Sequence, residues 1–457
     1  MKKAFVCILM VFVTFSVISQ GAKMSDKDIK ALVSDSETYV PEGYYIGDLK
    51  VDESVQLPLV LQFKDSKLYF SSPSQTANSF EISYQMEDNS NITIESSLLG
   101  LSIKATIDKN EIKGVFYQSG LQINIIFEKQ DSYKTPEKNR WQTPTSFNYT
   151  NKEVIITNKK NNRKYFGTLT ILNSNIKRTA ILFVTGSGIQ NRDEEIFKHK
   201  PFLVISDYLT KAGYYTLRCD DYGYNGEDIS NQTTLNTIDD IDSQIAYLKN
   251  NKNIDKIVLL GHSEGAIVAE ALANKADSII LLAAPAISGR ETYKFQVLHM
   301  LKQNNVSKDI IDYYDKTIDE VTSALTNPLI KEENKKQIVL SYLTSLGNNE
   351  ESALSVYKTL SSPWYVTFLQ TDPREYIREI KTPTLILQGT NDTQVKAELN
   401  IPVFEKLLKS EKKIIVYPNY NHLLQKSITG EVSEYDNIET TIEENILLDI
   451  VKFLSIH

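Results

Sequence analysis

Cysteine is nearly absent: two occur in 457 residues, and one of them, Cys7, lies inside an N-terminal apolar run. A disulfide framework is therefore excluded, because removal of that run as a signal would leave Cys219 with no internal partner. Cys219 itself follows Tyr215-Thr216-Leu217-Arg218 at a strand end, which suits a small buried residue better than a nucleophile. Basic runs are also missing. Pairs such as Lys159-Lys160 and Lys412-Lys413 are the most that occur, and 50 Lys+Arg against 58 Asp+Glu leave a formal charge of -8, which argues against nucleic acid as a partner. Beyond the N-terminus no apolar run approaches the roughly 20 residues needed to cross a bilayer. The N-terminal β-rich region holds no clustered His, Cys or acidic metal set, and Thr185-Gly186-Ser187-Gly188 lacks the G-K-[ST] ending of a phosphate loop. Neither a metal nor an organic cofactor is expected.

What the chain does have at its start is Lys2-Lys3, then a mainly apolar run from Ala4 to Val17, with Val17 and Ser19 as small residues at a cleavage point. This reads as a secretory signal peptide over residues 1–19, so the expectation is an exported protein, periplasmic or extracellular, with no stable membrane insertion once the signal is gone.

At 457 residues the prior is two domains. Residues 41–130 hold short alternating runs, among them Leu59-Val60-Leu61-Gln62-Phe63, Phe80-Glu81-Ile82-Ser83-Tyr84, Ile92-Thr93-Ile94 and Leu101-Ser102-Ile103-Lys104-Ala105, separated by turn residues. That pattern predicts an all-β sandwich or small barrel, with a structural or substrate-guiding role, sugar or polymer binding being the functional alternative. Residues 131–148, polar and containing Pro136 and Pro144, read as a linker. From 149 to 457 strands alternate with helices after an antiparallel pair, Val154-Ile155-Ile156 with Phe166 to Ile171, which predicts a largely parallel sheet covered on both faces. A long insertion at about 289–378, rich in Lys, Glu, Leu and Tyr with helical spacing at Ile310, Ile311, Tyr314 and Ile318, reads as a helical cap. Trp364 and Phe368 near its end are candidates for a pocket wall, although aromatics at this spacing also serve cap packing.

The chemistry lies in Gly261-His262-Ser263-Glu264-Gly265, which follows the apolar run Ile257-Val258-Leu259-Leu260 and precedes a helix-like stretch. A G-x-S-x-G turn between strand and helix holds a serine in a strained conformation with its hydroxyl lifted clear of the sheet. A serine nucleophile needs a base, and the base an orienting acid, in the chain order Ser, Asp or Glu, His. Thr384-Leu385-Ile386-Leu387 runs into Gln388-Gly389-Thr390-Asn391-Asp392, and Lys413-Ile414-Ile415-Val416-Tyr417 into Pro418-Asn419-Tyr420-Asn421-His422, so Asp392 and His422 emerge at strand ends in that order. Of the five histidines, only His422 follows a strand late in the chain. The oxyanion hole is expected from the backbone N–H of Glu264 and of Ser187, with Gly188 as the alternative to Ser187, on the loop after Ile181-Leu182-Phe183-Val184.

These motifs, with Val184 to Glu194 and Asn421-His422-Leu423-Leu424-Gln425, resemble the α/β-hydrolase family, and within it bacterial esterases and serine aminopeptidase-like hydrolases that carry a small β-rich domain ahead of the hydrolase. The resemblance covers residues 149–457. It implies an α/β-hydrolase fold with a helical cap, Ser263 as nucleophile, Asp392 as acid, His422 as base and the Gly186 to Gly188 loop at the oxyanion. Two departures stand out: Ile189 replaces a proline common in relatives, and Tyr222 replaces the arginine of an Asp-Asp-Arg-Gly turn. The expected activity is hydrolysis of a small-molecule carboxylic ester. An exopeptidase is the alternative enzyme, and an exported binding protein that kept a hydrolase shell is the alternative of another class.

Overall fold

The structure is a computed structural model that describes residues 41–50, 56–73, 79–96, 101–118, 121–133, 140–172, 178–303, 306–345 and 350–457. The expected signal segment lies outside them.

Eight antiparallel strands close into a barrel: β1 (Gly43–Lys50), β2 (Gln56–Lys64), β3 (Lys67–Ser71), β4 (Ser79–Met86), β5 (Asn91–Ser96), β6 (Leu101–Ile107), β7 (Glu111–Gln118) and β8 (Leu121–Gln130). Alternation along each strand sends one set of side chains inward. Leu61, Phe63, Leu68, Ile94, Ile103, Ile112 and Phe127 fill the interior, so the barrel is packed by its own residues. The sequence left sandwich and barrel open, and β1 decides between them. It pairs with β2 along its whole length and with β8 at Tyr44, Tyr45 and Ile46, so no edge remains. The two backbones come close at that seam, where a Cβ on Gly47 would lie 2.5 Å from the Ile126 carbonyl oxygen.

The second domain is built on an eight-stranded mixed sheet: β9 (Thr150–Thr157), β10 (Lys164–Ile171), β11 (Thr179–Val184), β12 (Tyr215–Cys219), β13 (Lys256–His262), β14 (Ser278–Leu282), β15 (Thr384–Gly389) and β16 (Lys412–Tyr417). In space the order is β16-β15-β14-β13-β11-β12-β10-β9. The pair β9 and β10 is antiparallel, and the strands from β12 to β16 run parallel to one another. Central strands are apolar on both sides because both faces are covered. Ile181 and Phe183 of β11 pack with Phe202 and Leu209 of α1 (Pro201–Lys211) and Ile446 and Phe453 near the C-terminus, while Leu182 and Val184 pack with Ile245 of α2 (Thr234–Lys249) and Ala266 and Val268 of α3 (Glu264–Ala271). Cys219 is buried, and desolvation pushes its thiol well above the usual range.

Between β14 and β15 six helices occupy the insertion: α4 (Gly289–Gln303), α5 (Lys308–Thr326), α6 (Glu332–Ser345), α7 (Glu350–Leu360), α8 (Pro363–Gln370) and α9 (Pro373–Ile377). The first five share an apolar core that includes Tyr293, Val297, Tyr314, Ile318, Val339, Trp364 and Phe368, while Ile377 of α9 packs into the core of the sheet domain. The start of α8 is set by local chemistry: Ser362 accepts the Tyr365 N–H, and Pro363 occupies the first turn. After the cap come α10 (Ala397–Leu407) and α11 (Glu444–Leu454).

The end of the predicted linker is docked rather than loose. Arg140 is buried, and its guanidinium donates to the carbonyls of Phe197, Asp436 and Ile438. Gln142 accepts the N–H groups of Thr441 and Ile442 and donates to the Ile442 carbonyl.

Candidate active site

Ser263 stands between β13 and α3 with φ +54° and ψ -121°, a backbone conformation that costs energy in any residue but glycine. The surroundings force it. A Cβ at Gly261 would lie 2.2 Å from the Gly265 carbonyl oxygen, and one at Gly265 would lie 2.2 Å from that of Val184, so strand and helix can approach only because both residues are glycine. The Ser263 N–H donates to the Leu282 carbonyl at 3.0 Å, and its hydroxyl makes no capping bond to the helix it starts.

Asp392 and His422 are brought together by the loops that follow β15 and β16. His422 Nδ1 donates to Asp392 Oδ2 at 2.8 Å, with both side chains buried. The carboxylate accepts three further bonds, from Gln388 Nε2 at 2.9 Å and from the N–H groups of Gln394 and Val395 at 2.8 Å each. On the histidine side, buried Asn421 accepts the N–H groups of Leu423 and Gln425 and so closes the loop. Leu424 takes φ +58° in that turn. The ring of His262, next to Ser263, lies 4.8 Å from the ring of His422.

The loop after β11 reaches the elbow from the other side, since a Cβ on Gly186 would lie 3.3 Å from the Ser263 Cβ. Of the expected oxyanion donors, Glu264 is the first residue of α3, where an N–H has no intrahelical acceptor. The Gly186 N–H is committed to Glu194 Oε1 at 2.7 Å, which leaves Ser187 and Gly188 as the residues of this loop that can supply the second donor. The side chain of Glu264 is equally placed. Its buried carboxyl accepts from Thr234 Oγ1 at 2.6 Å, from Trp364 Nε1 at 3.1 Å and from the Ser187 hydroxyl, and desolvation still raises its pKa.

A cleft opens beside this assembly, lined by Gly186, Gly188 and Glu264 near the elbow, by Asp221, Tyr165 and Gln244 of the sheet domain, and by Trp364 from the cap. Desolvation pushes the Asp221 carboxyl up to about 8, although it accepts from Thr185 Oγ1 and the Gln190 N–H. Both departures from the family pattern, Ile189 and Tyr222, are on the cleft wall. The guanidinium of Arg163 lies over the Tyr222 ring, 4.1 Å from its centroid. Trp364 lines the cleft. Phe368 does not: its ring stacks on Trp364 at 5.7 Å and it is buried in the cap's own core, because residues four apart on α8 share one face.

Sequence reasoning missed Glu194. It also gave His262 no role, whereas His262 Nδ1 lies 2.9 Å from Glu194 Oε1 and Nε2 lies 3.0 Å from the His422 carbonyl oxygen. The remaining histidines are engaged elsewhere, His199 with Thr441 and the Tyr435 carbonyl, and His299 with Glu431. Among the described residues no group of His, Cys, Asp and Glu could hold a metal ion, and no helix is long and apolar enough to cross a membrane.

A family model described as serine aminopeptidase, S33, matches residues 201–427, a span that contains Ser263, Asp392 and His422. The esterase EstD of Thermotoga maritima is 23% identical over 350 residues, covering 75% of this chain and 72% of that protein. Solved structures similar to this one include the esterase Pf2001 of Pyrococcus furiosus, 17% identical over 67% of this chain and 92% of that one with a TM-score of 0.38. Est1E of Butyrivibrio proteoclasticus with ferulic acid bound is 16% identical over 65% and 99%, with a TM-score of 0.38.

Proposed function

We propose that this chain, whose residues 201–427 match the serine aminopeptidase, S33, family model, hydrolyses carboxylic esters through an acyl-enzyme formed on Ser263. The observation that carries the reading is the buried Asp392–His422 hydrogen bond on the two loops beside a strained serine elbow.

In the first half-reaction His422 Nε2 takes the Ser263 proton as the oxygen attacks the ester carbonyl. Asp392 fixes the Nδ1–H tautomer and stabilises the imidazolium that results. Charge gathers on the former carbonyl oxygen, where the Glu264 N–H and a donor from Ser187 or Gly188 meet it. Collapse expels the alcohol, which takes the proton from His422. Water then attacks the acyl-enzyme with His422 again as base, releasing the acid and restoring the Ser263 hydroxyl. An alkoxide departs more readily than an amine, which favours esters over peptides.

One observation favours the exopeptidase reading: the carboxyls of Glu264 and Asp221 face the same cleft. Both, however, are occupied by internal donors, so neither is left for an ammonium group. The N-terminal barrel, filled by its own side chains, fits a structural role. Export belongs to the same proposal and is supported by the basic and apolar N-terminal sequence.

The test is hydrolysis of p-nitrophenyl esters from acetyl to dodecanoyl, beside aminoacyl-nitroanilides, by the wild type and Ser263→Ala. Ester turnover lost in the variant is the expected result. Turnover of anilides only would replace the esterase by a peptidase, and ester turnover surviving in Ser263→Ala would remove the nucleophile assignment.

A further inference from the structure

Glu194 stands where three functional loops meet. It lies between β11 and α1, is 4% exposed, and takes φ +52°, a left-handed conformation that a glutamate adopts only when its surroundings hold it there. One oxygen, Oε1, accepts from the Gly186 N–H at 2.7 Å and from His262 Nδ1 at 2.9 Å. His262, itself buried in the elbow, turns its other nitrogen to the His422 carbonyl oxygen at 3.0 Å. The connection therefore runs from the oxyanion loop through Glu194 and His262 to the backbone of the general base.

The hydrogen-bond chemistry fixes the charge. A carboxylate and a peptide carbonyl are both acceptors, so His262 satisfies both only as an imidazolium with a proton on each nitrogen. A neutral ring would set a lone pair against one of them. From Glu194, His262 and their partners, and resting on the esterase reading above, we infer that Glu194 and His262 form a buried ion pair that positions the oxyanion loop and the loop of the catalytic base relative to Ser263. Neither residue touches the reacting atoms, so both are positioning residues.

The charged neighbours agree. Burial by itself lowers the His262 pKa, but the Glu194 charge, the hydrogen bonds to Glu194 and the His422 carbonyl, and the charge of Asp392 together leave it raised. The ring of His422, 4.8 Å away, is the one neighbour that can become like-charged. Because the folded-state pKa of His262 is raised, the stabilisation from the pair is complete below the ordinary histidine range and is lost as pH rises through the raised value. Activity that depends on the pair then carries an alkaline limb belonging to His262.

The experiment compares wild type, Glu194→Gln and His262→Asn for kcat, KM and pH profile with a p-nitrophenyl ester, with Ser263→Ala as control and NMR titration of the His262 ring alongside. Glutamine keeps an acceptor for Gly186 but removes the charge. The expected result is a fall in kcat of about 10- to 100-fold, the scale of a small misplacement of catalytic groups, with KM changed less than about threefold and the alkaline limb moved to lower pH. A residue that served folding only would leave the pH profile of the folded protein in place. Wild-type kcat and an unmoved limb in Glu194→Gln would overturn the inference. If Ser263→Ala still hydrolyses the ester, the assignment of Ser263 as nucleophile has failed, and the NMR titration decides the pair separately. A wild-type His262 ring that loses its proton at or below the ordinary histidine range would overturn the pair even where Glu194→Gln does not fold.

Discussion

Asp392 Oδ2 accepts the His422 Nδ1 proton at 2.8 Å, and the same carboxylate is gripped by Gln388 Nε2 and the N–H groups of Gln394 and Val395. All four partners are donors, so the site is matched to an ionised carboxylate and to no isostere of it. In Asp392→Asn one oxygen becomes an NH2 group that must face a donor, and the histidine is free to adopt the other tautomer. The expected loss in kcat is about 10⁴-fold, as for the corresponding change in a serine protease triad. Steady-state kinetics on the folded variant, with circular dichroism to verify folding, checks it.

The candidate triad could be picked out of the sequence because each member sits where chain direction and glycine placement leave little choice. Gly261 and Gly265 are required by carbonyl contacts of 2.2 Å, and Asp392 and His422 both follow apolar strands of a parallel sheet. Strand β1 was not legible. Gly43, Gly47 and Asp48 break its apolar alternation, and its identity comes from pairing on both sides, a tertiary event. Glu194 was hidden for a similar reason: a loop acid shows no period, and its part is set by three segments converging on one oxygen. For Phe368 the sequence left pocket wall and cap packing open, because a spacing of four on a helix marks a shared face without saying whether the face meets ligand or core.

Buried acids set the pH dependence of stability. Glu270 is 2% exposed with no partner at either oxygen, and desolvation holds its pKa well above the usual carboxylate range, while Asp221 is pushed up to about 8. A raised folded-state pKa means that the stabilising contribution is whole below the unfolded value, near 4, and is lost as pH rises toward the folded value. Melting temperature is therefore expected to fall between about pH 4 and 8. Glu270→Gln should flatten that slope and raise the melting temperature at neutral pH, as read by thermal denaturation across the range. A variant that melts lower than wild type at pH 8 would contradict it.

Trp364 ties the cap to the elbow through its indole N–H, which donates to both oxygens of Glu264 at 3.1 and 3.2 Å. Phenylalanine at this position keeps most of the stacking on Phe368 but removes the donor, leaving a buried carboxyl short of one bond at a cost of about 1–3 kcal/mol. Because Trp364 also lines the cleft, Trp364→Phe is expected to raise KM more than it lowers kcat. Comparison of kinetic constants and unfolding free energy for the two proteins separates the contributions.

Arg140 joins the segment after the barrel to the sheet domain. Its side chain is buried, and one guanidinium spans the carbonyls of Phe197, Asp436 and Ile438, with Asp436 Oδ1 at 3.3 Å and the charge of Glu439 also acting on it. Burial lowers its pKa, yet arginine stays protonated under any ordinary condition, so the charge must be satisfied by these acceptors. Lysine has a single ammonium and cannot reproduce the planar fork that reaches several carbonyls at once. Arg140→Lys should therefore unfold at distinctly lower denaturant concentration, and Arg140→Ala, which leaves three carbonyls without this donor, should lose about 1–3 kcal/mol more for each carbonyl not reached by water. Phe197 packs edge-on against Tyr435, 6.0 Å between rings, and Tyr435 also accepts His199 Nε2 through its carbonyl. Loss of Arg140 should thus loosen the segments around Phe197 and Asp436 together, which hydrogen exchange would report as joint deprotection of both while the amides of β13 and β14 stay protected.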